Sequence, residues 1–184
     1  MDFSTILIQF ITVLFASILG PISLNWFKNK NEVEVQRKKI ALKLYHQLQD
    51  YCFLLAEAIN KHDNALATLY RDAEGQYNCS FGHFQWYHSI PNIEIDERIY
   101  ILDNNIVGNI FMFVRESKYT KLGLEFLEDV DIDCVIDSYC ETAYALVKSA
   151  MLICDLLGEK YGIASVDENW LELIPNRLKE EKNN

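Results

Sequence analysis

The chain reads as a mainly α-helical protein: a single N-terminal transmembrane helix, a long helical stalk, and an antiparallel helical bundle with one irregular, aromatic-rich connection. Three observations predict this. The 25 residues from Phe3 to Phe27 contain no charge. Apolar residues then recur at intervals of three and four over two long stretches, the spacing of a helix face. Only three prolines and seven glycines punctuate 184 residues, which favours long helices over a many-stranded sheet. The expected organisation is an anchor at 1–27, a basic juxtamembrane segment at 28–39, a helical domain at 40–178 and a polar, fraying tail at 179–184.

The anchor comes first. A hydrocarbon core about 30 Å thick needs about 20 helical residues, so the uncharged stretch is long enough to span it. Gln9, Asn25 and the serines and threonines dilute its hydrophobicity, but their groups can bond backbone carbonyls or partner helices. Trp26 and Phe27 stand where amphipathic rings favour the headgroup region. Gly20-Pro21 is expected to kink the helix in its last third. A cleaved signal peptide would open with a basic region, whereas this chain opens Met-Asp and offers no clear cleavage box. An interfacial helix would need a charged face. Ala16 and Gly20 form a small-x-x-x-small spacing that lets one span approach another, which favours a homo-oligomer.

Orientation follows from the flanks. Asp2 lies on one side; Lys28, Lys30, Arg37, Lys38, Lys39 and Lys43 crowd the other. Basic excess stays cytoplasmic, which predicts the amino terminus outside and the body at the cytoplasmic face of a bacterial-type inner membrane. The same residues would lie near anionic lipid.

The body begins with a regular stripe: Ile40, Leu44, Leu48, Tyr51, Leu55, Ile59, His62, Leu66 and Leu69. No Gly or Pro interrupts residues 29–72, so one helix is expected from about 30 to 72, with His62 as an interior histidine rather than a ligand. A second stripe runs through Ile132, Val135, Tyr139, Ala143, Leu146, Ala150, Ile153 and Leu157. Asp129, Asp131 and Asp133 favour its positive end, and Gly158 and Gly162 can stop it. Two stripes of like period predict an antiparallel pair, with a homodimeric coiled coil through the first as the alternative. Between them, Ile99, Leu102, Ile106, Ile110, Phe113 and Val114 trace a third face, expected as a helix from near Asp103 to Ser117 that resumes at 121–128. Ser165 and Glu168 frame a capping box before a last helix carrying Trp170, Leu171 and Ile174, which Pro175 ends or kinks.

Residues 73–95 form the long connection. It holds Tyr77, Phe81, Phe84, Trp86 and Tyr87, and a connection this long inside a compact domain is commonly functional. Phe84, Trp86 and Tyr87 are the expected partner contacts, since exposed aromatics anchor interfaces. Ile93-Glu94-Ile95 alternates like a short strand or hook. Cys79, His83 and His88 are candidate metal ligands by residue type, but zinc takes four and no fourth is evident, so no metal and no cofactor is expected.

Charge and chemistry narrow the function. Residues 1–72 carry a net of +1 and residues 73–184 a net of −11, within the overall −10. The acidic distal part is repelled by phosphate backbones, which argues against nucleic-acid binding. Five cysteines without a C-x-x-C pair, three of them on or beside apolar stripes, suit a reducing compartment. Asp129-x-Asp131-x-Asp133 opens like a calcium loop, yet Cys134 and Cys140 occupy the positions that require Gly and Glu. No phosphate-binding, dinucleotide, nucleophile-elbow or zinc-protease motif occurs. Acid pairs such as Glu94, Asp96 and Glu97, or Glu125 and Glu128, have nothing nearby in sequence to poise them as acid and base. The expectation is a non-enzymatic, membrane-tethered interaction, scaffold or sensor domain with an unidentified protein partner. The rivals are a membrane-active effector whose span oligomerises, and an enzyme with a site near 79–97.

Overall fold

The computed structural model describes the backbone of residues 3–68, 90–93, 95–130, 132–164 and 169–179, and the side chains of 25–26, 28–66, 90–93, 95–127, 134–164, 169–176 and 178–179. Among these residues the protein is mainly helical and has no strand, with three long helices: α1 (Phe3–Thr68), α2 (Asn104–Val130) and α3 (Ile132–Tyr161). A single turn, α4 (Asn176–Lys179), closes the described chain, and 3-10 helices cover Glu97–Ile101 and Asn169–Leu173. Contacts divide the chain into two units, residues 1–39 and 40–184.

In the first unit the uncharged N-terminal stretch lies within α1, which stays helical through Gly20-Pro21. Among the described residues no helix is long and apolar enough to cross a membrane, and the side chains of 3–24 and Phe27 lie outside the described set. The structure thus supports helix at 3–27 and does not support a transmembrane crossing there. Beyond it, Lys28, Lys30, Lys38 and Lys39 are exposed, while half-buried Arg37 pairs with Glu34 at 3.1 Å. Lys30 Nζ lies 5.3 Å from the Trp26 ring centroid, within cation–π range.

The second unit holds the core. Ile40, Leu44, Leu48, Tyr51, Leu55, Ile59 and His62 are all buried, as one face of a helix should be when a neighbour covers it. That neighbour is α3. The Cys154 thiol points at the Tyr45 carbonyl (4.0 Å), the Cys52 thiol at the Val147 carbonyl (3.9 Å) and the Cys140 thiol at the Ile59 carbonyl (4.0 Å). Seven residues forward along α1 therefore correspond to seven residues back along α3. The pairing is antiparallel, with a heptad repeat, and it brings Ala56 level with Ala143, both fully buried. Small thiols and alanines at these levels let the backbones approach closely. His62 continues the register: its Nε2 lies 2.9 Å from the Ile136 carbonyl and its ring 4.9 Å from that of Tyr139. From Ile40 to His62 the α1 stripe is therefore covered within the chain, as the expected antiparallel pair requires.

Helix α2 begins where Asp103 can cap it. The Asp103 carboxylate accepts from the Asn105 N–H (3.0 Å), its carbonyl accepts from the Val107 N–H (2.9 Å), and Lys160 Nζ lies 3.3 Å from it. Those bonds, led by the one from Asn105, hold the carboxyl below its usual range. Tyr161, at the end of α3, accepts from the Asp103 N–H at 2.9 Å, so α2 begins where α3 ends. Contrary to the expected break after Ser117, α2 runs unbroken to Val130. Ser117 is buried and its hydroxyl bonds the Tyr51 hydroxyl at 2.8 Å, and Leu124 is buried just past Gly123. Burial of both flanks outweighs the roughly 1 kcal/mol that a glycine costs in a helix interior. Helix α3 passes through Gly158 and stops at Gly162, whose φ of +65° lets its own N–H and that of Ile163 donate to the Gly158 carbonyl.

Burial raises the Tyr51 phenol to about 12, against a smaller downward pull from its bond with Ser117. A phenol that titrates near 10 when unfolded and near 12 when folded contributes stability that is complete below about pH 10 and is lost as the pH rises towards 12. Tyr51→Phe is expected to cost about 1–2 kcal/mol at neutral pH, by stranding the Ser117 hydroxyl, and to flatten that alkaline decline. Urea melts at pH 8 and pH 11 check both effects. An unchanged alkaline slope in the variant would contradict the assignment.

Two further expectations are corrected. Of the strand or hook expected at 93–95, the strand is not formed at Ile93 or Ile95; Ile90 before them is buried and Lys43 reaches Asp96 after them at 3.5 Å. The last helix is likewise a 3-10 turn at 169–173 followed, after Pro175, by the one-turn α4; Ser165 and Glu168 of the expected capping box lie outside the described residues. Tertiary contact sets this geometry. Trp170 is buried and its Nε1–H donates to Gln49 Oε1 at 3.0 Å, while Gln49 Nε2 reaches the Tyr45 hydroxyl at 3.4 Å.

Candidate interaction surface

The core side of α2 carries Ile106, Val107, Ile110, Phe113, Ser117 and Leu124. A helix of this period that buried one side only would place polar residues opposite. Instead the outward side of α2 carries Phe111, Met112, Tyr119, Leu122 and Phe126, with Met112, Tyr119 and Phe126 61%, 65% and 67% exposed. Tyr100, also exposed, sets its ring 5.8 Å from that of Phe111. Arg115, Glu116 and Lys118 are exposed among them, and Lys121 and Glu125 are half-exposed. Large apolar groups gathered on one side of a helix mark an interaction site more often than isolated ones do.

Beside this face an open groove of about 490 Å³ separates α2 from α3. Phe113, Ile153 and Leu156 line its apolar part, Met112 and the exposed Leu152 its two walls, and Glu116, Asp155 and Glu159 its polar edge. The acids of the expected 94–97 cluster do other work. The Asp96 carboxylate caps the 3-10 helix by accepting from the Arg98 N–H (3.0 Å) and from Arg98 Nε (2.9 Å). Its hydrogen bonds with Arg98, above all that from the side chain, hold it far below the ordinary carboxylate range. An acid held ionised in this way has no proton to give at neutral pH. Glu97 is exposed, Glu125 is half-exposed on α2, and Glu94 and the side chain of Glu128 lie outside the described residues.

The expected partner contacts Phe84, Trp86 and Tyr87 lie outside the described residues, as do the candidate ligands Cys79, His83 and His88. So do the side chains of Ala16, Gly20, Asp129 and Asp133, and all of Asp131. Among the described residues no group of three or more His, Cys, Asp or Glu could hold a metal ion. The α2 face was not among the sequence-derived candidates, although a signal for it exists. Ile110-Phe111-Met112-Phe113-Val114 is five consecutive apolar residues, which wrap a full helical turn, so some of them must point away from any core. Tyr119, Leu122 and Phe126 then extend the Met112 side at helical spacing.

No family model matches the chain, and neither does any curated protein or solved structure.

Proposed function

We propose that the protein is a non-enzymatic helical interaction domain, tethered by residues 3–27 to the cytoplasmic face of a membrane, and that the outward side of α2 is its docking surface. The observation that carries the reading is the set of large apolar side chains exposed on that side, Phe111, Met112, Tyr119, Leu122 and Phe126. Leaving them in water forgoes about 25 cal/mol for each Å² of apolar surface, a loss that a binding partner recovers. The tether rests on the 25 uncharged residues that precede the exposed Lys28, Lys30, Lys38 and Lys39.

Both halves of the reading are testable in cells expressing the full chain. The protein is expected to stay with membranes after alkaline carbonate extraction, and a carboxy-terminal reporter that works only in the cytoplasm is expected to be active. Release by carbonate, or a reporter active only outside the cytoplasm, would refute the tether. Replacing exposed Leu122 and Phe126 by Ser is expected to abolish partner capture while changing stability by less than about 1 kcal/mol. Undiminished capture by that variant would remove the docking surface.

A further inference from the structure

We infer that the groove between α2 and α3 takes a basic amphipathic helix of a partner protein, one with Lys or Arg beside its apolar side; this rests on the docking reading of α2 and names the partner's chemistry.

The groove has the shape for a helix. Helices α2 and α3 run antiparallel, because one residue separates them at one end and the Asp103 N–H donates to the Tyr161 hydroxyl at the other. At 1.5 Å per residue this sets Met112 about level with Leu152, and Glu116 about level with Ser149. From Ser149 to Glu159 the groove runs for about 15 Å. Phe113 and Ile153 are buried at its floor, while Met112 and Leu152 stand exposed as opposite walls. Met112 also belongs to the outward side of α2, so the groove and the docking surface are continuous. An amphipathic helix laid in such a groove inserts side chains at intervals of three and four, and three of them occupy about 10 Å.

Charge selects which helix. Glu116 stands towards one end of the groove, Asp155 and Glu159 towards the other, and all three are exposed. No Lys or Arg lines it. Among the described residues none of the three acids has an ion-pair partner. The neighbouring cations are engaged elsewhere: Lys160 with Asp103 at 3.3 Å, and Lys148 over the Tyr144 ring at 4.6 Å. An apolar floor between carboxylates attracts an apolar helix side flanked by cations and repels phosphate backbones and anionic lipid. The basic stretch at 28–39 of a second copy does not supply such a helix. Its apolar residues, Val33 and Val35, are two apart and so share no side.

The probe is a labelled peptide of about 14 residues, two heptads of Leu and Lys with the leucines on one side. It is titrated by fluorescence anisotropy against the full chain in phosphatidylcholine nanodiscs, with empty nanodiscs as the baseline. Saturable binding is expected, weakened about tenfold by Asp155→Lys and by Leu152→Ser, both at exposed positions. Glu57→Lys makes the same change in net charge outside the groove and is expected to weaken binding less than about twofold. Equal weakening by Glu57→Lys and Asp155→Lys, or no binding above the baseline, overturns the proposal. So does equal binding of the peptide with Glu in place of Lys, or full competition by spermine, a cation without an apolar side. In cells, partner capture that is lost with Leu122 and Phe126 but kept by Leu152→Ser overturns the groove and leaves the docking reading intact. Capture indifferent to all three substitutions overturns both.

Discussion

Leu55→Ala is expected to destabilise the protein by about 3–4 kcal/mol, whereas Leu54→Ala, one residue away, is expected to cost less than about 0.5 kcal/mol. Leu55 is fully buried on the α1 stripe, and Leu54 is 48% exposed. Truncating Leu55 loses the transfer free energy of its missing carbons and leaves a cavity. The long, antiparallel helices on either side cannot collapse into that cavity without shifting every level of a heptad register. Truncating Leu54 removes carbons that already lie mostly in water. Equilibrium urea unfolding of the two full-length variants measures the contrast. Near-equal losses would mean that the helix is rotated from the phase described above, and the antiparallel register with α3 would have to be abandoned.

Trp170→Ala is expected to cost about 3–5 kcal/mol, the range for removing a large buried aromatic. Two losses combine. The indole leaves a void over α1, and Gln49, itself buried, is left with an Oε1 that has no donor. Trp170→Phe separates them, since it fills part of the void but cannot donate, and is expected to cost about 1–2 kcal/mol. Both variants are compared by the same urea titration. If Trp170→Ala proved as mild as Trp170→Phe, the C-terminal turn would be a passenger on the bundle instead of part of its core.

Much of the fold was legible because helices report themselves locally. The stripes at 40–62 and 135–157 mark buried faces of α1 and α3, Asp103 marks the start of α2, and Gly162 marks the end of α3. Each signal depends on residues within a turn or two of one another. What the sequence reading missed depends on residues far apart in the chain. The apolar face traced from Ile106 to Val114 gave no signal beyond Ser117, where a break was expected. The helix holds there because Tyr51, 66 residues away, takes the Ser117 hydroxyl. The last element looked like a helix and is a 3-10 turn carrying Trp170, whose indole bonds Gln49, 121 residues away.

The docking face was hidden for a related reason. The aromatics of 73–95 drew the expected interaction because composition is unusual there, and the third apolar face took in only Ile106, Ile110, Phe113 and Val114 of α2. A helix can bury only the side that neighbours reach, and α2 has α3, the stretch around Glu97–Ile101 and, at Phe113 and Ser117, Tyr51 of α1 against it. Phe111, Met112, Tyr119, Leu122 and Phe126 exceed what that side can take.

Periodicity alone therefore established that the body is helical, which residues of α1 and α3 face inwards, and where α2 starts. A 3.6-residue repeat is a local property that needs no knowledge of the partner helix. Which stripe meets which, at what register, and which apolar residues stay outside were decided by packing. Thiol-to-carbonyl contacts at seven-residue steps set the level of α3 on α1. The finite width of a helix–helix contact left the second stripe of α2 in water.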